Sequence, residues 1–135
     1  MKKILLLVGG PHHDFEGCGS IIKEYLEGTE QFAVEMTADT KRLTRLDGFD
    51  AVMVYTCLGK LTAAQERNLL EFVNGGGGLV AIHSANISFL ENEGYVEMVG
   101  TKFTDHGPVA RFDVEMLPAA AEIVPRVATE FSVED

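Results

Sequence analysis

The feature that most constrains this chain is the run Ile4-Leu5-Leu6-Leu7-Val8, closed by Gly9-Gly10-Pro11. A strand with one wet face alternates apolar and polar residues; this run does not, so both of its faces must be covered. The usual home for such a strand is a parallel sheet with helices on either side. Five apolar residues are too few for the hydrophobic region of a secretory leader, and no run approaches the length of a membrane span. The expectation is a cytoplasmic chain without leader or anchor.

The order of elements agrees. Residues 15–27 read as a helix, with Cys18, Ile21, Ile22, Tyr25 and Leu26 recurring at three and four as its buried face and Gly28 as its stop. Residues 32–36 read as a second strand, 37–47 as a loop with a short helical turn, and 50–57 as a third, buried strand. Thr62-Ala63-Ala64-Gln65 is a capping box, so a helix starts at Thr62 and buries Leu69, Leu70, Phe72 and Val73. The four glycines at 75–78 then turn the chain into a fourth strand at 79–83. A short helix at 95–99 and a fifth strand at 109–116 follow. Alternating strands and helices imply α/β class: a three-layer sandwich around a mainly parallel sheet.

A chain of 135 residues is one domain, long enough to bury about 68% of its unfolded surface without covalent staples. Its two cysteines, Cys18 and Cys57, fit a reducing compartment and are expected to be reduced, partly or wholly buried, and dispensable. The formal charge is −10, and residues 91–135 hold 3 basic and 10 acidic side chains, so −7 of it lies in the last third. Such a surface repels phosphate backbones and anionic lipid, which excludes nucleic acid and membranes as partners.

Two glycine-rich stretches fail as nucleotide loops. The glycines at 75–78 follow a helix and precede a strand, which puts them on the edge opposite the usual ligand side. Gly59-Lys60 lacks both the earlier glycine and the following hydroxyl of a phosphate loop, since Val54 and Leu61 stand there.

The four histidines are better placed. His12 and His13 follow the first strand, His83 ends the fourth, and His106 precedes the fifth. Open parallel sheets bind ligands outside the carboxyl ends of their strands, so His13, His83 and His106 are expected to converge there. Neutral imidazoles ligate zinc and similar divalent ions, with Asp14 or Asp105 as further ligands or orienting groups. Alternatively, a His–Asp pair serves as general acid and base without metal.

These residues belong to a wider pattern: a first strand running into His13-Asp14, Thr62-Ala63-Ala64-Gln65 opening a helix, and the run from Gly77 through His83-Ser84-Ala85. Val99-Gly100-Thr101-Lys102-Phe103 followed by His106, and the closing Phe131-Ser132-Val133-Glu134-Asp135, complete it. In that order they resemble the trehalose-utilisation (ThuA-like) family, whose fold looks like that of class I glutamine amidotransferases. The resemblance implies a flavodoxin-like sheet and a role in carbohydrate metabolism. Its site residues map onto His13, Asp14, His83 and His106, with His12 where the pattern is looser.

Two departures stand out: Gly107 separates His106 from Pro108, and the chain stops at Asp135 where family members usually continue. It reads as a single ThuA-like domain over 1–135, shorter at the C-terminus than its relatives, with an exposed sheet edge that a second copy covers in a homodimer. Glutaminase chemistry is excluded. It needs a nucleophilic cysteine on the turn where His83 stands, and Ala81 and Ala85 replace the small glycines around a nucleophile there.

The resulting expectation is a domain that acts on, or helps process, a sugar or oxidised sugar derivative, with or without a divalent metal such as zinc. His83, His13 and Asp14 carry the chemistry, Asp14 orienting His13. Ser84, His12, Cys57 and Gly59 contact substrate, and His13, His83 and His106 hold the metal. The alternative is a non-catalytic module of the same fold, serving ligand binding or subunit assembly.

Overall fold

The computed structural model describes residues 1–124, 126 and 128–134. They fall into two compact units, Met1–Phe103 and Thr104–Asp135.

The first unit is a parallel sheet of β1 (Lys2–Gly9), β2 (Phe32–Thr37), β3 (Ala51–Thr56) and β4 (Gly78–Ala81), in the order β2-β1-β3-β4. The aliphatic run lies in β1, at the centre, and its pairing sets the register: Leu5 sits beside Glu35 on one side and Val52 on the other. Its side chains divide between two cores. Leu5 and Leu7 pack with Leu43, Val52, Val54 and Leu69 on one face, and Ile4, Leu6 and Val8 pack with Phe15, Val34 and Tyr55 on the other. Leu5, Leu6 and Leu7 are 0% exposed, and burying each contributes about 1.5–3 kcal/mol. Helix α1 (Phe15–Glu27) covers the second face. Helix α2 (Ala63–Asn74), α3 (Glu93–Val99) and a 3-10 turn at Thr40–Thr44 lie with the first. The three-layer, mainly parallel, flavodoxin-like arrangement is therefore present, and α2 starts on the capping box of Thr62 and Gln65.

Three expectations need correction. Helix α1 does not bury Cys18, Ile21 and Tyr25, of which Ile21 is 67% and Tyr25 75% exposed; it buries Phe15 and Gly19 and packs Ile22 and Leu26 against the sheet. Gly19 decides this face, because a Cβ there would meet Val8 at 2.8 Å and Met36 at 2.9 Å, and hydrophobic periodicity does not register a glycine as a packing position.

The fourth strand, expected over 79–83, is the edge of the sheet, with Val80 45% exposed. It is also shorter than expected, because His83 opens a second 3-10 turn, His83–Ile87.

The fifth strand lies outside this sheet. In the second unit β5 (Arg111–Glu115) pairs antiparallel with β6 (Glu130–Glu134), setting Phe112 opposite Val133 and Val114 opposite Phe131, and α4 (Pro118–Ile123) lies between them in sequence. The alternation in residues 109–116 was a sign of this antiparallel ribbon. Of the closing segment, Asp135 lies outside the described residues. No helix among the described residues is long and apolar enough to cross a membrane.

Candidate functional site

In a sheet ordered β2-β1-β3-β4 the direction of strand addition reverses between β1 and β3, and open α/β sheets place ligands outside the carboxyl ends at that point. The segments that follow β1, β3 and β4 leave this edge, and each carries a left-handed residue that is not glycine. These are His12 (φ 81°), Leu58 (φ 61°) and His83 (φ 50°). Each costs about 1–2 kcal/mol and persists only where the surroundings enforce it. Part of that enforcement is the contact between the first two segments. The Cys57 N–H donates to Gly9 O at 2.9 Å, and a Cβ on Gly10 would lie 2.2 Å from Cys57 O.

His13, after β1, and His83, after β4, meet across the end of β3. Their Nε2 atoms are 3.3 Å apart and their ring centroids 4.7 Å apart, inclined at 75°. Both side chains are exposed. A hydrogen bond between two imidazole nitrogens needs one to donate and the other to accept.

Beneath them runs an aromatic ladder that the sequence reading missed. His13 lies edge-on to Phe15 at 5.4 Å, and Phe15 to Tyr55 at 4.9 Å. Burial pushes the Tyr55 phenol up, and the hydrogen-bonded Cys18 thiol adds to the shift. The signal for this ladder was the strand alternation that puts Tyr55 on the same face as Ala51 and Met53, under a helix whose first residue is Phe15.

The other expected site residues take different parts. Asp14, expected to orient His13, is the N-cap of α1 and accepts the Gly17 N–H at 2.9 Å. Ser84 is buried and donates to Thr56 O at 2.9 Å, so its hydroxyl proton is committed to the backbone. Cys57 is buried at the end of β3. Cys18, expected to be buried at least in part, is exposed, although its thiol is hydrogen-bonded to the Tyr55 phenol; neither cysteine is in a disulfide. Gly59 (φ 83°) turns beside Phe89, whose ring would be 3.4 Å from a Cβ there. His12 is exposed on its left-handed turn. His106 belongs to the second unit, where its Nδ1 donates to Gly107 O at 2.6 Å.

Two surface depressions, of about 210 and about 520 Å³, lie at the opposite, amino edge, around Lys3, Arg42 and Phe49 and around Lys2, Asp50 and Phe72. Arg42 is paired with Glu35 in the first and Lys2 with Asp50 in the second. No group of three or more His, Cys, Asp or Glu side chains among the described residues is arranged to hold a metal ion, so the histidine pair by itself offers two positions.

The model of the family described as "ThuA: Trehalose utilisation" matches residues 3–135. The chain belongs to the ThuA family. No curated protein matches it. This ThuA chain is similar to the crystal structure of a ThuA-like protein from Bacteroides uniformis, with a TM-score of 0.77 and 16% identity over 98% of this chain and 58% of that one. A ThuA-like protein from Parabacteroides merdae gives a TM-score of 0.80, also at 16% identity, over 97% and 60%. At such identity the likeness establishes the fold. The ThuA chain spans 58–60% of the length of these two structures.

Proposed function

We propose that this ThuA chain acts in carbohydrate metabolism on a sugar or oxidised sugar derivative, through the His13–His83 pair. The description of its family supports the metabolic setting. The observation that carries the reading is the 3.3 Å approach of the two Nε2 atoms from separate segments at the ligand edge of the sheet. A sugar hydroxyl that inserts between them would donate to the ring nitrogen without a proton, the general base, and accept from the one that carries it.

The same separation suits a metal. Two ligands on a tetrahedral ion with bonds of about 2.0–2.1 Å stand about 3.3–3.4 Å apart. His13 and His83 would hold a divalent ion such as zinc through Nε2, and the ion would supply polarisation of a sugar carbonyl or hydroxyl oxygen. Phe15, itself packed on Tyr55, lies against one side of the His13 ring in either case. Thiol-dependent amide hydrolysis is no part of this reading, because the turn after β4 carries His83.

The test compares the wild type with His13→Ala and His83→Ala for binding of trehalose and oxidised trehalose by saturation-transfer NMR, for turnover by product chromatography, and for zinc uptake by calorimetry. Loss of binding and turnover in both folded variants supports the reading. Binding by the wild type without turnover makes the chain a binding module, and unaltered behaviour of both variants removes the pair from the function.

A further inference from the structure

A left-handed histidine exposed at the rim of a sheet needs something to hold it. The 3-10 turn that begins at His83 has no side-chain cap at its start, where Ile82 stands. What holds the turn lies underneath, in a core that is otherwise mostly aliphatic. Thr56, Ser84 and Ser88 are 5%, 8% and 0% exposed, and their hydroxyls form a chain. The Ser84 hydroxyl donates to Thr56 O at 2.9 Å, and the Ser88 hydroxyl to Ser84 O at 3.3 Å. With the Ser88 proton so committed, the 2.7 Å contact between Thr56 Oγ1 and Ser88 Oγ has Thr56 as its donor. The Tyr95 hydroxyl, from α3, donates to Ala85 O at 2.9 Å. The carbonyls of Ser84 and Ala85, the two residues after His83, are thus each held by a buried hydroxyl.

We infer that Thr56, Ser84 and Ser88 form a buried hydroxyl clamp that positions His83 so that its Nε2 meets that of His13. The inference rests on the reading of that pair as the working centre. Ser84 is then a positioning residue and not a nucleophile. The clamp ties the His83 turn to the last residue of β3, the strand across whose end the two histidines meet. Removing one hydroxyl leaves a buried acceptor unpaired or a turn unanchored, and a left-handed residue next to a loosened turn relaxes to right-handed backbone. That relaxation swings the imidazole away from His13 while β1 and β3, held by their own ladder, stay in place.

The experiment uses the full chain with isotope-labelled histidine and reads the ring-to-ring nuclear Overhauser cross-peak between His13 and His83. The variants are Ser84→Ala, Thr56→Val, which keeps the shape and removes the hydroxyl, and Thr56→Ser, which restores it. The expected result is a cross-peak in the wild type and in Thr56→Ser and its loss in Ser84→Ala and Thr56→Val, with the amide resonances of β1 unmoved. If Ser84→Ala fails to fold, the two Thr56 variants decide. A cross-peak that persists in Thr56→Val, one that is lost equally in Thr56→Ser, or its absence from the wild type overturns the clamp. The measurement needs neither sugar, metal nor turnover, so a clamp found in a protein that processes no sugar would stand while the functional reading fell.

Discussion

Glu27 accepts the backbone N–H of Val34 at 3.1 Å, so a helix side chain occupies a hydrogen-bonding slot that the edge strand β2 would otherwise offer to another chain. Lys23 takes the Val34 carbonyl at 2.5 Å and pairs with Glu27 at 2.6 Å. This edge is blocked by charge, one of the ways natural sheets avoid unwanted pairing.

The blocked edge has an acid signature. The Lys23 hydrogen bond, seconded by the Val34 N–H, holds the Glu27 carboxyl below its ordinary value of 4.5. A depressed carboxylate stabilises the fold fully above its unfolded value and loses that contribution as pH falls through the folded one. The wild type should therefore lose its stability advantage over Glu27→Gln on acidification below about pH 4.5, as read from urea midpoints, whereas parallel curves would show that Glu27 adds nothing.

The opposite edge carries no such guard. Residues 72–90, which include β4, contain no Asp, Glu, Lys or Arg, in a chain of net charge −10. Like-charged copies meet most readily where charge is absent. We propose that a second copy pairs with β4, giving a homodimer that Val80→Lys converts to monomer in sedimentation equilibrium. A wild type that stays monomeric at high concentration would count against it.

At His83 stability and function should part. Glycine adopts the left-handed region freely, so His83→Gly should be about 1 kcal/mol more stable than His83→Ala in chemical denaturation, while both lose the contact with His13. Equal stabilities would mean that the turn carries no strain.

Asp14 acts on its own helix. Asp14→Ala should lower stability by about 1 kcal/mol and Asp14→Asn by much less, because asparagine caps equally well. A large effect of Asp14→Asn on sugar turnover, with stability unchanged, would restore the direct role in chemistry expected from the sequence.

The two thiols should separate under alkylation of the native protein. Iodoacetamide is expected to add one group, at exposed Cys18, and to reach buried Cys57 only after unfolding, as intact and peptide masses would show. Prompt modification of Cys57 would place the end of β3 within reach of solvent.

Signals that act locally were the legible ones. The run at Ile4–Val8 specified a central, doubly covered strand because nothing else satisfies two apolar faces, and the capping box at Thr62 and Gln65 specified the start of α2 because its partners are three residues apart. The expectation that His13 and His83 share the carboxyl edge of the sheet needed only the parallel direction of the strands they follow, whereas His106 lies in the second unit. What stayed hidden depends on partners distant in sequence. Gly19 sets the buried face of α1 by what its missing side chain admits, Val8 and Met36. The hydroxyls of Thr56 and Ser88 look like any solvent-facing pair until β3 and the turn after β4 are brought together. The place of residues 111–115 depended on Glu130–Glu134, a strand with no signal of its own beyond alternation.

Gly10 and Cys57 leave no space between their backbones for another atom, and that limits how the site can move. A segment with slack could carry His12 and His13 outward by itself. Here Gly9 O grips the Cys57 N–H at 2.9 Å, so the segments after β1 and β3 share one hinge. Any outward movement of His12 and His13 is then a concerted displacement of two stretches of main chain, and exchange of the Cys57 amide proton measures how often it happens.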